Sequence, residues 1–189
     1  GWPMTYWIVA LIVLFVLAPI IRLWPSARDK QAMEGRMVAM KRGIGVELTQ
    51  ILDPVPIQDK YKTPSGMPIE PKLSVVAFRA RHGQLVDEKN RPRDWFAERV
   101  GESPNPLAKK KGVQRADWMV WFEEQLMPES KAEERLADEV LSVVVAAPKS
   151  VVAMDWQNRA LSAYWVENGR SDEVETICDQ LESLLEAHA

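Results

Sequence analysis

The chain has 189 residues and a mass of 21.5 kDa, with 47% hydrophobic and 27% charged residues, a globular composition that excludes a wholly disordered chain. Its one cysteine, Cys178, excludes an internal disulfide framework, and two histidines, His82 and His188, are too few for the usual histidine-based zinc sites. A net charge of −3 and a pI near 5.6 argue against a dedicated nucleic-acid binder.

From Ile8 to Ile21 the sequence reads IVALIVLFVLAPII, apolar or Pro throughout. Extended from Met4 to Trp24 it is long enough, at about 1.5 Å per helical residue, to cross one hydrocarbon core. Trp2, Tyr6 and Trp7 mark one end and Trp24 the other, where an indole can keep its ring in apolar surroundings and its N–H in water. Pro19 predicts a kink in the last third. No basic residue precedes the apolar run, and RLWPSA after it offers no small-x-small cleavage site. Residues 1–25 therefore read as a transmembrane anchor and not as a cleaved signal peptide. Arg22, Arg28, Lys30, Arg36, Lys41 and Arg42 all follow the span. Positive residues stay on the cytoplasmic side, so the expectation is a periplasmic N-terminus and a cytoplasmic domain. Trp2, Trp7, Trp24, Arg22, Arg28 and Lys30 are the expected membrane-interface residues.

Residues 26–43 predict a basic juxtamembrane helix. Ser26 can cap it, Asp29 can answer three residues on, and Gly43 can end it in the left-handed conformation. Met33, Met37 and Met40 form a narrow apolar stripe. Two readings of that stripe stand: the helix packs on its own domain, or it lies on anionic lipid or a partner subunit. Arg36, Lys41 and Arg42 are candidate lipid or partner contacts.

The remainder, 44–189, predicts an α+β domain. Residues 44–51 alternate as a half-buried strand, and LSVVAFRAR at 73–81 is its expected antiparallel partner. Between them, 53–72 carries Pro54, Pro56, Pro64, Pro68, Pro71 and Gly66, which marks an irregular loop. Residues 83–115 also read as irregular, with a short helix at 93–100. Trp118, Trp121, Phe122 and Leu126 recur at helical spacing, so 116–127 predicts a helix stopped by Pro128. Ser130 and Glu133 form a capping box for a helix over 131–144, with Leu136, Val140, Val143 and Val144 on one face. Residues 150–156 and 159–166 read as a β-hairpin turning near Gln157 and Asn158. Asn168-Gly169 breaks the chain. Ser171 is the expected cap of a last helix, whose core stripe is Val174, Ile177, Cys178, Leu181, Leu184 and Leu185. The sum is about four largely antiparallel strands with helices on one face.

Chemistry-bearing patterns are sparse. Cys178 inside an apolar stripe behaves as a small hydrophobe. His82 follows Arg79 and Arg81 at a strand end, where a surface or headgroup role is expected, and His188 is expected in a frayed terminus. Gly43-Ile44-Gly45 fails as a dinucleotide loop, because Leu48 stands where the third glycine belongs and a strand follows. No P-loop or nucleophile elbow occurs, and the adjacent Glu123 and Glu124 would point apart on a helix. The expectation is no catalytic, cofactor-binding or metal-binding residue, no cofactor, and no enzymatic activity. One charge asymmetry is informative: 72–115 holds eleven Lys or Arg against five acids, whereas the last helix carries six acids. Lys109, Lys110 and Lys111 are therefore candidate contacts to anionic lipid or an acidic partner.

The span, the segment WPSARDKQ, the short basic helix ending in Gly43 and the terminal unit ALSAYWVENGRSDEVETI together give a resemblance. In these parts the chain resembles uncharacterised single-span inner-membrane proteins of bacteria. The resemblance implies a bacterial inner-membrane setting and supplies no activity. The expected function is a non-catalytic accessory subunit of a larger membrane complex, respiratory or otherwise energy-transducing. Its expected partners are other membrane-protein subunits and anionic lipid, with no nucleic acid. The alternatives are a membrane-tethered adaptor or assembly factor and an enzyme with a dispersed site.

Overall fold

The computed structural model describes residues 3–24, 26–54, 63–67, 69–81, 92–100, 111–168 and 170–188. Trp2, His82, Lys109, Lys110 and much of the loops expected at 53–72 and 83–115 lie outside these residues.

A seven-stranded antiparallel sheet forms the domain. Its strands are β1 (Gly45–Leu52), β2 (Lys72–Arg81), β3 (Trp95–Arg99), β4 (Val113–Arg115), β5 (Trp118–Phe122), β6 (Val151–Gln157) and β7 (Ala160–Trp165). Their spatial order is β1-β2-β7-β6-β3-β5-β4. Three hairpin pairs, β1–β2, β4–β5 and β6–β7, are joined into one sheet by β2 against β7 and by β3 between β6 and β5. The β1–β2 pairing is the one its alternating residues predict, from Gly45 opposite Arg79 to Leu52 opposite Lys72.

The count of strands corrects the sequence reading, which has about four. The helix expected at 93–100 is β3, and the helix expected at 116–127 is β4's partner β5 followed by a turn. The reason in β5 is that both faces of the strand are apolar. Trp118, Val120 and Phe122 enter the main core, while Trp121 points to the other face and stacks on Phe96 at 5.7 Å. Period-two alternation is then invisible, and Trp118, Trp121 and Phe122 mimic a helical stripe. The β4–β5 turn is equally silent in sequence, because Ala116 rather than Gly takes the positive φ of 52°. In β3, Ala97, Glu98 and Arg99 are good helix formers, but pairing on both sides overrides local propensity.

Three helices cover one face: α2 (Ala27–Lys41), α3 (Lys131–Val145) and α4 (Ser171–Glu186). Their buried side chains and the inward strand residues make one core, including Phe78, Trp95, Trp118, Trp156, Leu161, Leu141, Ile177 and Leu181. α3 starts at Ser130, whose Oγ accepts from the Glu133 N–H. The β6–β7 turn uses Asn158 and Arg159, both at positive φ, which matches a tight type I′ hairpin. α4 corrects a second expectation: Ser171 is the first helical residue, and the N-cap Arg170 makes no side-chain cap. Asn168 serves the entry instead, its Oδ1 accepting from the Arg170 N–H at 3.0 Å.

His188 is not frayed. It is 1% exposed and sits beside the Trp156 and Trp95 rings, at 4.4 and 5.8 Å between centroids. Its Nε2 accepts from the Trp95 Nε1–H at 2.8 Å, so its proton is on Nδ1, which donates to the Leu184 carbonyl at 2.7 Å. Cys178 is fully buried, as its stripe predicts, and burial pushes its thiol up to about 11.

Candidate membrane and partner interface

α1 spans Met4–Arg22, and none of its residues is buried. An 18-residue window there has a mean hydropathy of 2.5 and no share buried inside the protein. Among the described residues one helix is thus long and apolar enough to cross a membrane. Trp7 and Trp24, 69% and 66% exposed, stand near its two ends, and Arg22 is in its last turn. Pro19 lies within the helix; it has no N–H to donate, while its carbonyl accepts from the Leu23 N–H at 3.2 Å.

α2 begins three residues past Trp24, its N-cap Ser26 carrying a full capping box. Ser26 Oγ accepts from the Asp29 N–H at 3.2 Å and the Asp29 carboxylate accepts from the Ser26 N–H at 3.3 Å. Gly43, at a φ of 77°, follows its end. The face of α2 that meets the domain is made of small residues. Gly35 and Ala39 are its buried positions, and a Cβ on Gly35 would stand 2.9 Å from Val174 Cγ2. Glycine here lets the α2 and α4 backbones approach closely.

Two arginines lock that contact. Arg36 forms a two-pronged pair with Glu167, its Nε at 2.9 Å from one carboxylate oxygen and its Nη2 on the other. Arg42 reaches Glu182 at 2.7 Å and Asp179 at 2.6 Å on α4. The second cluster is solvent-facing, where each ion pair adds about 0–1 kcal/mol, so Gly35 and Ala39 packing dominates. Arg36 and Arg42 are therefore engaged by the domain's own carboxylates, and of the candidate contacts on α2 Lys41 is left at the exposed end.

The methionine stripe corrects the first of its two sequence readings in one respect. α2 does pack on its domain, but not through Met33, Met37 and Met40. These are 57%, 55% and 55% exposed and turn away from Gly35 and Ala39. Arg28 and Lys30 are exposed in the first turn. The outcome is two uncovered apolar features, α1 and, beyond the polar stretch 28–31, the methionine row of α2, the second on a helix anchored to the sheet domain.

Among the described residues of the basic stretch at 72–115, four arginines pair with carboxylates within the fold. Arg79 pairs with Glu47 at 2.9 Å, Arg93 with Glu133 at 2.9 Å, Arg99 with Asp117 at 2.5 Å, and Arg115 with Asp138. Arg99 also lies 4.7 Å over the Trp118 ring and donates to the Val151 and Pro148 carbonyls. Arg93 and Arg115 tie to α3, whereas Arg79 ties β2 to β1 and Arg99 ties β3 to the β4–β5 turn. Lys111 is exposed at the start of β4.

The opposite face of the sheet holds a polar cluster that the sequence reading missed. A cavity of about 300 Å³ is lined by residues including Ile51, Phe96, Ala153, Asp155, Gln157 and Tyr164. Asp155 is 6% exposed and accepts from the Tyr164 hydroxyl and the Gln157 amide, both at 2.8 Å. Burial raises its carboxyl above the usual range, against the pull of those two donors. Burial, followed by the Asp155 charge, pushes the Tyr164 hydroxyl up to about 12. The only warning in sequence is one acid within the apolar VVAMDW. The cluster offers an acceptor and a weak acid on a sheet floor. Among the described residues no three His, Cys, Asp or Glu side chains converge as metal ligands.

A folded value above the unfolded one means Asp155 contributes fully to stability at low pH and loses that contribution as pH rises through the raised value. Asp155→Asn is expected to remove the loss. Across a thermal-unfolding series from about pH 4 to about pH 8, the midpoint difference between variant and native chain should move in the variant's favour. A difference that stays flat would contradict the assignment.

No protein-family model matches the chain, and no curated protein matches it significantly. Among solved structures, it is similar to the mycobacterial trehalose monomycolate transport factor A. That likeness is at 11% identity and a TM-score of 0.43, over 84% of this chain and 96% of that one.

Proposed function

We propose that this chain is a non-catalytic, single-span accessory subunit of a larger bacterial inner-membrane complex, respiratory or otherwise energy-transducing, where it contributes assembly or stability. α1 lies in the bilayer with its N-terminal end periplasmic, and the sheet domain is cytoplasmic. The observation that supports this reading is the uncovered row Met33, Met37 and Met40 on α2, the helix that follows α1. Unbranched, polarizable side chains fit a partner helix without demanding one shape. The clamp of α2 onto α4 then ties whatever α2 holds to the sheet domain.

The test is a native gel of gently solubilised membranes, followed by mass spectrometry of the band that holds the chain. One large, reproducible band is expected. Replacing Met33, Met37 and Met40 together with Ser should free the chain from that band while it still sediments with membranes, because all three are exposed and their loss leaves the fold intact. Migration of the native chain near its own mass would overturn the subunit reading in favour of a tethered adaptor.

A further inference from the structure

The edge strand β1 is built to be continued. It is last in the sheet order, eight residues long, and pairs with β2 without a bulge. The opposite edge, β4, has three residues. Natural edges are blunted by Pro, charged side chains, a bulge or shortness; GVELTQIL has no Pro, no Lys and no bulge, and its one charge, Glu47, is paired with Arg79 of β2. Leu48 and Leu52 are 65% and 60% exposed along it.

The ladder fixes which groups face outward. Asp53 N–H donates to the Pro71 carbonyl at 2.7 Å, continuing the β1–β2 register. Hydrogen-bonded and non-hydrogen-bonded pairs alternate in an antiparallel ladder. Gly45, Glu47, Thr49 and Ile51 therefore bond to β2, and Val46, Leu48, Gln50 and Leu52 turn their N–H and C=O groups to the edge, where no described strand pairs with them.

We propose that β1 pairs with β1 of a second copy of this chain, antiparallel and two-fold symmetric about Thr49, to make one continuous sheet. Self-complementarity selects this occupant and this register. Centred on Thr49, Val46 meets Leu52 of the second copy and Leu48 meets Gln50, so all four outward residues are paired. Centring instead on Gln50 sets Glu47 against Asp53 of the second copy and Val46 against Pro54, which has no N–H. Centring on Leu48 sets Leu52 against Ile44, whose N–H is already bonded to the Ala39 carbonyl at 3.1 Å. About Thr49, Glu47 instead faces Ile51 of the second copy, and no like charges oppose. The inference rests on the sheet and not on the membrane reading.

In this register Thr49 faces Thr49 as a non-hydrogen-bonded pair, with Cα atoms about 4.5 Å apart, within reach of a disulfide. Thr49→Cys in the full chain, mildly oxidised in its membranes, is expected to run mostly at twice its mass on a non-reducing gel. Glu47→Cys is expected to stay single, because four residues of offset separate its two copies by about 13 Å. Cys178 is buried and does not react. Gln50→Pro removes an outward N–H and no backbone bond to β2, only the long 3.5 Å contact of its side-chain amide to the Ser74 hydroxyl, so it should abolish the dimer while the circular dichroism spectrum is kept. A Thr49→Cys chain that stays single and scatters light as a monomer would overturn the proposal. So would a Gln50→Pro variant that sheds a different protein instead of a second copy.

Discussion

A chain beginning at Ser26 is expected in the soluble fraction with its thermal midpoint unchanged. None of the 19 residues of α1 is buried, so the sheet domain owes it no packing energy. Membrane attachment, in contrast, owes it nearly everything. Burying an apolar side chain is worth about 1.5–3 kcal/mol, and the run from Ile8 to Ile21 is almost wholly such side chains. The basic residues of α2 add about 1 kcal/mol each near an anionic surface, too little to hold the domain once salt is raised. Sedimentation of membranes and a melt of the truncated chain check both halves. A lowered midpoint would mean that α1 packs against the domain, and persistence in the pellet would mean that α2 or the sheet binds membranes unaided. Orientation is a separate matter. Single cysteines placed before Met4 should label from the periplasmic side and those beyond Ser26 from the cytoplasmic side.

His188→Ala is expected to destabilise the domain by about 2–4 kcal/mol, a fall of roughly 5–12 °C in the midpoint. The ring is 1% exposed and fills space beside two indoles. Its loss leaves a cavity and strands the N–H of Trp95, itself 0% exposed. His188→Phe separates the two costs, because it keeps most of the volume and removes the acceptor. It should lose about 1–3 kcal/mol, the cost of a buried unpaired donor. Near-native stability of His188→Phe would show that packing alone holds the site. Denaturant melts of the chain beginning at Ser26 measure all three.

Much of the helical framework was legible because it obeys local rules. Ser26 with Asp29 and Ser130 with Glu133 mark helix starts where the structure has them. The stripe from Val174 to Leu184 is the buried face of α4. The β1–β2 and β6–β7 pairs could be read because apolar and polar residues alternate along β1 and because Asn158 marks a turn. β3, β4 and β5 could not. Their residues are apolar on both faces or helix-prone, and their turn is made by Ala116. The interface was half legible. Composition and spacing reveal the apolar span and the methionine row. They do not reveal that Arg36 and Arg42 would be taken by Glu167, Asp179 and Glu182, each more than a hundred positions away.

By itself, then, the sequence determines the apolar helix, the caps and the amphipathic stripes, since each depends on residues within a turn or two of one another. Only the tertiary structure decides which side of α2 is covered. Gly35 and Ala39 carry little hydrophobic signal, yet their smallness lets two backbones close together, and that closeness leaves the larger methionines outside. It likewise decides that Asp155 is buried and that His188 is core. Burial and hydrogen-bond partnership arise from strands and helices that meet across long stretches of chain, and no local pattern encodes them.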